Sequence, residues 1–294
     1  MSTRQKLENK EYLPEKWEDV ACPMCGSVDR KFLEHFGNRN QYTHALCNSC
    51  HLVYLNPRPA YNDTFVNDAY EFYAENDERY QLSDKLLYEK TAPHIETELS
   101  EILKCDKQRT ALLDVGCAIG HFLYVAKKHY PIVYGLEVSK RMAAVVKERL
   151  GITVFTDKFE KLKIENRFSC IYMSHILEHY PYPNEWLQKV RQLLMPTGIL
   201  VVNVPNMFSL DRKYKRTIKR LGLYRGNWES WRTPDHLFEP TVPAMLKLFE
   251  KNNFKVLGYY SYSKKDIISQ SFFSRIYRRK WLFGSNLRFY ATPI

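Results

Sequence analysis

The segment Asp114-Val115-Gly116-Cys117-Ala118-Ile119-Gly120 constrains the fold of this chain more than any other. Ahead of it, Ala111-Leu112-Leu113 is a short apolar run of the kind found in buried parallel strands. Gly116 and Gly120 permit a tight turn and close approach to a ligand, and Phe122 to Lys128 then reads as a helix. A second apolar run, Ile132-Val133-Tyr134-Gly135-Leu136, ends on Glu137. Together these make a βαβ unit with an acid at the end of each strand. The second acid stands where a ribose diol would donate two hydrogen bonds.

The loop reads Asp-x-Gly-x-x-x-Gly, not the Gly-x-Gly-x-x-Gly of dinucleotide sites. A carboxylate at its mouth repels a pyrophosphate. It suits a ligand with a ribose and a cationic amino-acid tail but no phosphate, which is the chemistry of S-adenosylmethionine. Asp114, Gly116, Cys117, Ala118, Gly120 and Glu137 are therefore the expected cofactor contacts. The plainer alternative, a glycine that merely packs a strand against a helix, leaves the two acids unexplained.

Four of the seven cysteines form Cys22-x-x-Cys25 and Cys47-x-x-Cys50. Each pair presents two sulfurs from one tight turn, with Gly26 supplying permissive backbone after the first. Two such knuckles close a tetrahedral thiolate site, the zinc-ribbon pattern. Disulfides, disfavoured in a reducing compartment, and an iron–sulfur cluster are the alternatives. Four thiolates leave no open ligand position, so zinc is expected to fold a short segment and not to catalyse. Cys117 has no pairing base in the sequence and reads as a packing residue.

Downstream, the chain resembles the class I S-adenosylmethionine-dependent methyltransferases. The resemblance rests on Phe168-Ser169-Cys170-Ile171-Tyr172-Met173 as a fourth strand, Leu177-Glu178-His179 after it, and a helix from Trp186 to Leu194. It continues through the turn Pro196-Thr197-Gly198 and a fifth strand, Ile199 to Val204, closing in Val204-Pro205-Asn206. His236-Leu237-Phe238, a helix from Val242 to Lys251 and a strand from Phe254 to Tyr260 complete it. Ser169 departs from the family's Asp, and Asn253 replaces a frequent glycine while tolerating the left-handed conformation of a helix end. The resemblance implies an α/β fold: a Rossmann-like, doubly wound, seven-stranded and mostly parallel sheet with a small N-terminal zinc-ribbon module.

Tyr54-Leu55-Asn56-Pro57-Arg58-Pro59 leaves the ribbon and leads to a segment with Tyr70, Phe72, Tyr73 and Tyr80. This layout is similar to a bacterial subgroup that includes sugar C-methyltransferases and enzymes of surface-polysaccharide and natural-product pathways. It implies a ribbon over 1–60, a Tyr-rich helical lid or linker over 61–105, and a methyltransferase domain over 106–294 with a basic insertion at 207–232. In that likeness Tyr70 and Tyr73 cover the cofactor, although tyrosines at this spacing pack on a helix just as often. Asp157 would meet the adenine amino group, or else be a surface turn acid.

Asp235-His236 falls where the sugar C-methyltransferases have a Glu-His pair implicated in proton transfer. His236 is thus the favoured general base for a hydroxyl acceptor, with His175 lining the pocket. The alternative makes His236 a structural residue. His175-x-x-Glu178-His179 on a helix would also suit a metal, as in inverted-motif metalloproteases. Some quinone-pathway O-methyltransferases bind a divalent metal through the equivalent segment with Glu at its first position. The surrounding strands favour a pocket role here.

The net charge of +11 argues for anionic partners. Arg212, Lys213, Lys215, Arg216, Lys219, Arg220 and Arg225, with Tyr224, Trp228 and Trp231, follow the fifth strand and would border the acceptor. The expected substrate is a small anionic acceptor, the hydroxyl of a sugar, nucleotide-sugar or related metabolite; a solvated basic helix is the plainer reading. An RNA methyltransferase is the runner-up. Against it, Ser174-His175-Ile176-Leu177 is not the Asn/Asp-Pro-Pro-Tyr/Phe signature of many base-methylating enzymes, and the ribbon carries only Arg30, Lys31 and Arg39 between its knuckles. A non-catalytic cofactor-binding scaffold is a third reading.

The basic amphipathic stretch 264–283 would lie on an acidic membrane face or pack on the sheet. Packing is favoured, with Leu287 to Ala291 as the last strand. No apolar stretch is long enough to span a bilayer and Met1-Ser2-Thr3-Arg4 is no signal peptide, so a cytoplasmic location is expected. Oligomeric state leaves no trace in the sequence.

Overall fold

A computed structural model describes residues 16–36, 42–60, 85–223, 236–263 and 282–294. Its centre is a seven-stranded sheet built from β6 (Ala111–Val115), β7 (Ile132–Leu136), β8 (Thr153–Phe155), β9 (Phe168–Ser174), β10 (Leu194–Pro205), β12 (Phe254–Tyr262) and β13 (Asn286–Pro293). The strand order is β12-β13-β10-β9-β6-β7-β8, and only β13 runs antiparallel to its neighbours. The order reverses at β6, the point where open α/β sheets bind ligands at the carboxyl ends of their strands.

Local sequence explains most of these elements. β6 is buried at every position and β9 at all but its last, as expected of strands covered on both faces. Helix α3 (Lys140–Leu150) starts where Ser139 Oγ accepts the Met142 amide (3.3 Å) and ends at Gly151 with φ 66°. Helix α6 (Val242–Lys251) is capped by Thr241 in the same way, and Asn253 after it is left-handed at φ 57°. Helices α1 (Lys85–Cys105), α2 (His121–Ala126) and α4 (Pro183–Leu193) complete the layers near the sheet. The α2 helix stops two residues short of the span expected from sequence.

Ser169, the departure from the family pattern, joins the front of the sheet. Its hydroxyl donates to Asp106 Oδ2 (2.8 Å) and accepts from the Thr110 amide (3.1 Å). Gly135 is required for contact between β7 and the loop after β6: a Cβ there would lie 2.7 Å from Cys117 Sγ. Gly135→Ala is expected to lower stability by about 1–3 kcal/mol through overpacking. Thermal unfolding would read this as a lower Tm, partly recovered when Cys117→Ala is added; an unchanged Tm in the single variant would refute the contact.

The second sheet has the order β11-β4-β3-β2, from β2 (Arg30–Phe36), β3 (Tyr42–Cys47), β4 (Val53–Leu55) and β11 (Phe238–Glu239). Its edge strand β11 comes from far along the chain, pairing Phe238 with Tyr54 and Glu239 with Val53. A small ribbon of β1 (Trp17–Glu18) and β5 (Arg58–Pro59) lies beside it. Met24, Leu52 and Tyr54 share one apolar cluster with Leu113, Met173 and Met245, so the two sheets rest on a common core.

Candidate active site

The loop after β6 folds as its glycines demand. Gly116 and Gly120 have φ of 77° and 83°, and Ala118 between them is left-handed at 47°. The Gly116 and Cys117 amides donate to Leu136 O at 2.8 and 3.1 Å, tying the loop to β7. A Cβ on Gly116 would lie 3.0 Å from Ile176 Cγ1, so this loop touches the segment that follows β9. From α1, Tyr88 donates to Ile119 O (2.7 Å), and Thr91 Oγ1 meets His121 Nδ1 (2.9 Å).

Glu137 accepts the Ala118 amide at one oxygen (3.0 Å) and the Ser139 amide at the other (2.9 Å). A carboxylate held this way keeps lone pairs for further donors such as ribose hydroxyls. Burial pushes the Asp114 carboxyl well above its ordinary range, and the charges of Glu137 and Glu98 push it further. Glu98 is already paired with Arg288, so Asp114 and Glu137, at the ends of neighbouring strands, are the acids that a ligand cation would relieve, as expected for a ligand with ammonium and sulfonium groups. The Cys117 thiol is also pushed up, by burial and then by Asp114 and Glu137, which disfavours a nucleophilic thiolate. Asp157 is exposed two residues beyond β8, at the strand edge where Phe155 O accepts the Glu137 amide (2.9 Å).

The segment after β9 is not the helix that a metal-binding reading of His175-x-x-Glu178-His179 requires. His175 is left-handed (φ 53°), and Leu177–His179 is one 3-10 turn ahead of α4. The His175 amide donates to Asn203 O (2.9 Å), and its ring Nδ1 lies 3.5 Å from Glu178 Oε1. Glu178 is fully buried, and neither carboxylate oxygen has a hydrogen bond of good geometry. Burial raises its carboxyl, but His175, His179 and His236 outweigh this and hold it below the usual range.

His236 is brought here by the backbone, since the Leu237 amide donates to Glu178 O (2.9 Å). Its Nδ1 is 3.0 Å from Glu239 Oε1, and Glu239 Oε2 accepts from Arg212 Nη1 at 2.8 Å. Burial raises the Glu239 carboxyl, yet Arg212 and His236 together hold it well below the carboxylate range. An ionised carboxylate can only accept, so Nδ1 presents its proton to Glu239, while Nε2 lies 4.0 Å from the buried Glu178 Oε1. His179 stands edge-on to the His236 ring, with centroids 4.8 Å apart. Ligand atoms of Glu178, His179 and His236 lie within 4.8 Å of one another and could share a proton or a cation.

Cys22, Cys25, Cys47 and Cys50 converge equally closely, with Sγ separations of 3.5 Å for Cys22–Cys50 and 3.6 Å for Cys25–Cys47. A tetrahedron with zinc–sulfur bonds of about 2.3 Å has edges of roughly 3.8 Å, so the donor set fits zinc. The knuckles close through Gly26 (φ 81°) and His51 (φ 60°), whose amides donate to Cys22 O and Cys47 O.

Of the other expected residues, Tyr70, Phe72, Tyr73, Tyr80, Asp235, Tyr224, Arg225, Trp228, Trp231 and Arg39 lie outside the described residues, as does 264–281 within the amphipathic stretch. Sequence reasoning missed Glu239, which directly follows His236-Leu237-Phe238, and its bond to Arg212, a residue already singled out in the basic insertion. It also missed a buried network in which Tyr172 and Asn203 donate to Glu98 Oε1 (2.7 and 2.9 Å) and Arg288 Nε donates to Asn203 Oδ1 (2.7 Å). Its members are far apart in the chain and carry no motif.

A family model described as a methyltransferase domain matches residues 87–258. An uncharacterized methyltransferase of Bacillus cytotoxicus is 24% identical over 197 residues, covering 66% of this chain and 91% of that protein. A ubiquinone biosynthesis O-methyltransferase of Coxiella burnetii is 32% identical over 101 residues, which is 32% of this chain and 43% of the relative. Among solved structures, magnesium protoporphyrin IX methyltransferase from Synechocystis, with bound SAH, has a TM-score of 0.55 at 16% identity, covering 79% of this chain and all of its own. The N-methyltransferase NodS from Bradyrhizobium japonicum has a TM-score of 0.50 at 15% identity, covering 77% and 97%. At such identities these structures speak for the fold alone.

Proposed function

Because the chain belongs to the methyltransferase domain family, we propose that it transfers the methyl group of S-adenosylmethionine to a hydroxyl of a small anionic acceptor, such as a sugar, nucleotide-sugar or related metabolite. The observation that carries this reading is His236, oriented by an ionised Glu239 at the carboxyl edge of the sheet that bears the acid–glycine loop. The cofactor supplies a methyl group on a good leaving group, so alignment is much of the catalysis.

The chain's own residues have distinct tasks. Glu137 accepts from the ribose, and Asp114 supplies negative charge toward the cationic tail, along the loop Gly116, Cys117, Ala118 and Gly120. Asp157 serves the adenine, and Tyr70 with Tyr73 covers the cofactor. His236 Nε2 takes the acceptor's hydroxyl proton, and Glu239 stabilises the imidazolium that results. Asp235 beside it and His175 at the exposed lip complete the acceptor side. Cys22, Cys25, Cys47 and Cys50 hold a structural zinc ion in the ribbon over 1–60, in a reducing cytoplasm that keeps the thiols available.

Glu137→Ala should weaken S-adenosylmethionine binding about 100-fold, as ~3 kcal/mol is lost with two charge-assisted hydrogen bonds. Titration calorimetry would measure this, and an unchanged Kd would remove Glu137 from the cofactor site. Transfer of label from methyl-labelled S-adenosylmethionine into soluble metabolites, membrane lipids and RNA tests the acceptor class. Label in metabolites or lipid headgroups is the expected result; label confined to RNA would overturn the small-acceptor reading.

A further inference from the structure

Helix α5 (Leu210–Arg220) is built the wrong way round for a helix that packs on a core. Leu210, Tyr214 and Ile218 recur at four-residue spacing, and Leu221 just past the helix continues their line. The stripe faces outward at Leu210 (45% exposed), Tyr214 (68%) and Leu221 (65%), with Ile218 half-buried between them. Phe208 before it and Leu223 after it are also exposed, so this stretch holds five of the twelve exposed large hydrophobics among the described residues. Single exposed apolar side chains need no explanation, but five within one short stretch on and around a helix do.

The opposite, polar side holds the helix to the protein. Arg212 bonds Glu239 there, and the Arg212 amide donates to Ser209 Oγ (3.3 Å). By helical geometry Lys213 and Lys215 flank the apolar stripe on its two sides, Lys213 over the Phe283 ring (5.9 Å) and Lys215 paired at the helix surface with the exposed Asp211 (2.8 Å). Between Leu210 and Leu223 the sequence carries six basic residues and one acid, Asp211. An outward apolar stripe bordered by lysines is the arrangement of a helix lying in the plane of an anionic bilayer surface, with lysine heads at the headgroups.

We infer that α5 is an interfacial helix that docks this protein on an anionic phospholipid surface. Docking orients the site as well. α5 follows β10 at the carboxyl edge of the sheet, and Arg212 links it through Glu239 to His236. Resting on the methyl-transfer reading, this assigns the acceptor to a class: an amphiphile that presents a hydroxyl-bearing polar head at the membrane surface. The docking itself stands without that reading.

The test uses the full chain and vesicles of phosphatidylcholine with or without about one-third phosphatidylglycerol. Co-sedimentation is expected with the anionic vesicles and not with the neutral ones. Tyr214→Ser combined with Leu221→Ser should lower the partition coefficient at least about tenfold, and so should Lys213→Glu combined with Lys215→Glu. S-adenosylmethionine affinity, measured on the same preparations, should be unchanged in both variants; this shows that they fold and separates docking from the cofactor site. The inference fails if the wild-type chain ignores anionic vesicles. It fails equally if both variants bind them as well as wild type, which moves the lipid contact elsewhere. A lipid-free wild-type dimer that Tyr214→Ser with Leu221→Ser dissociates would make the stripe an interface between copies and also overturn it.

Discussion

If the four-thiolate centre holds zinc, as proposed, removing the metal should abolish methyl transfer while leaving S-adenosylmethionine bound. Structural zinc contributes about 10–16 kcal/mol of apparent binding free energy in zinc-finger peptides, which fold only with the metal. In this chain β11 joins the ribbon to the segment that carries His236. Phe238 and Glu239 pair with Tyr54 and Val53, the Leu55 amide donates to Leu237 O (3.0 Å), and Thr241 Oγ1 donates to His51 O (3.0 Å). Melting β3 and β4 therefore releases the strand that holds Glu239 against His236. Much of the cofactor loop packs away from the ribbon: Cys117 and Phe122 belong to one separate cluster and Ile119 with Met142 to another, while Leu113, Val115 and Leu136 share the ribbon's core. After chelation, or in Cys22→Ser with Cys50→Ser, turnover should fall by at least about 100-fold, the lower range for losing a positioned base. Calorimetry should find cofactor affinity within a few-fold. Full turnover in protein shown to be metal-free would break the link between ribbon and base. Parallel loss of cofactor binding would mean that the whole fold depends on the centre.

His236→Ala should lower kcat by about 10²–10⁴, the contribution usual for general base catalysis, with cofactor affinity unchanged. Glu239→Gln should fall between wild type and His236→Ala, because the amide oxygen can still accept from Nδ1 while the charge facing the imidazolium is lost. A merely structural histidine would not control the pH profile. If His236 is the base, the acid limb of kcat/KM disappears in His236→Ala and shifts to lower pH in Glu239→Gln, where the ring loses its anionic partner. Retained kcat with an unaltered acid limb would place the base elsewhere, with His175 as the next candidate, or show that the acceptor needs none.

Features governed by local physics were legible in the chain itself. The acid–glycine loop is one: Gly116 and Gly120 are both left-handed, and the acids at the ends of β6 and β7 lie at one sheet edge. The Cys knuckles are another, converging as their spacing requires; the antiparallel last strand was expected from the family resemblance and not from local physics. Ala118 was harder, because a left-handed alanine carries no compositional mark. Asp157 stands exposed at the expected edge.

By itself, the sequence determined a βαβ nucleus with a ligand loop suited to a ribose and a cation, and a four-thiolate ribbon before it. Both are short-range patterns in which strand periodicity, glycine freedom and ligand spacing act within a few dozen residues. Tertiary structure decided how the two are joined. It brought β11 to the ribbon sheet, Glu239 between His236 and Arg212, and Glu98 to Arg288 inside a buried network. It also turned the apolar stripe of α5 outward, which no helical pattern can reveal, since periodicity marks a face but not the side on which the protein lies. Such pairings are set by packing between segments distant in the chain, and their energies exist only once a common core has brought those segments together.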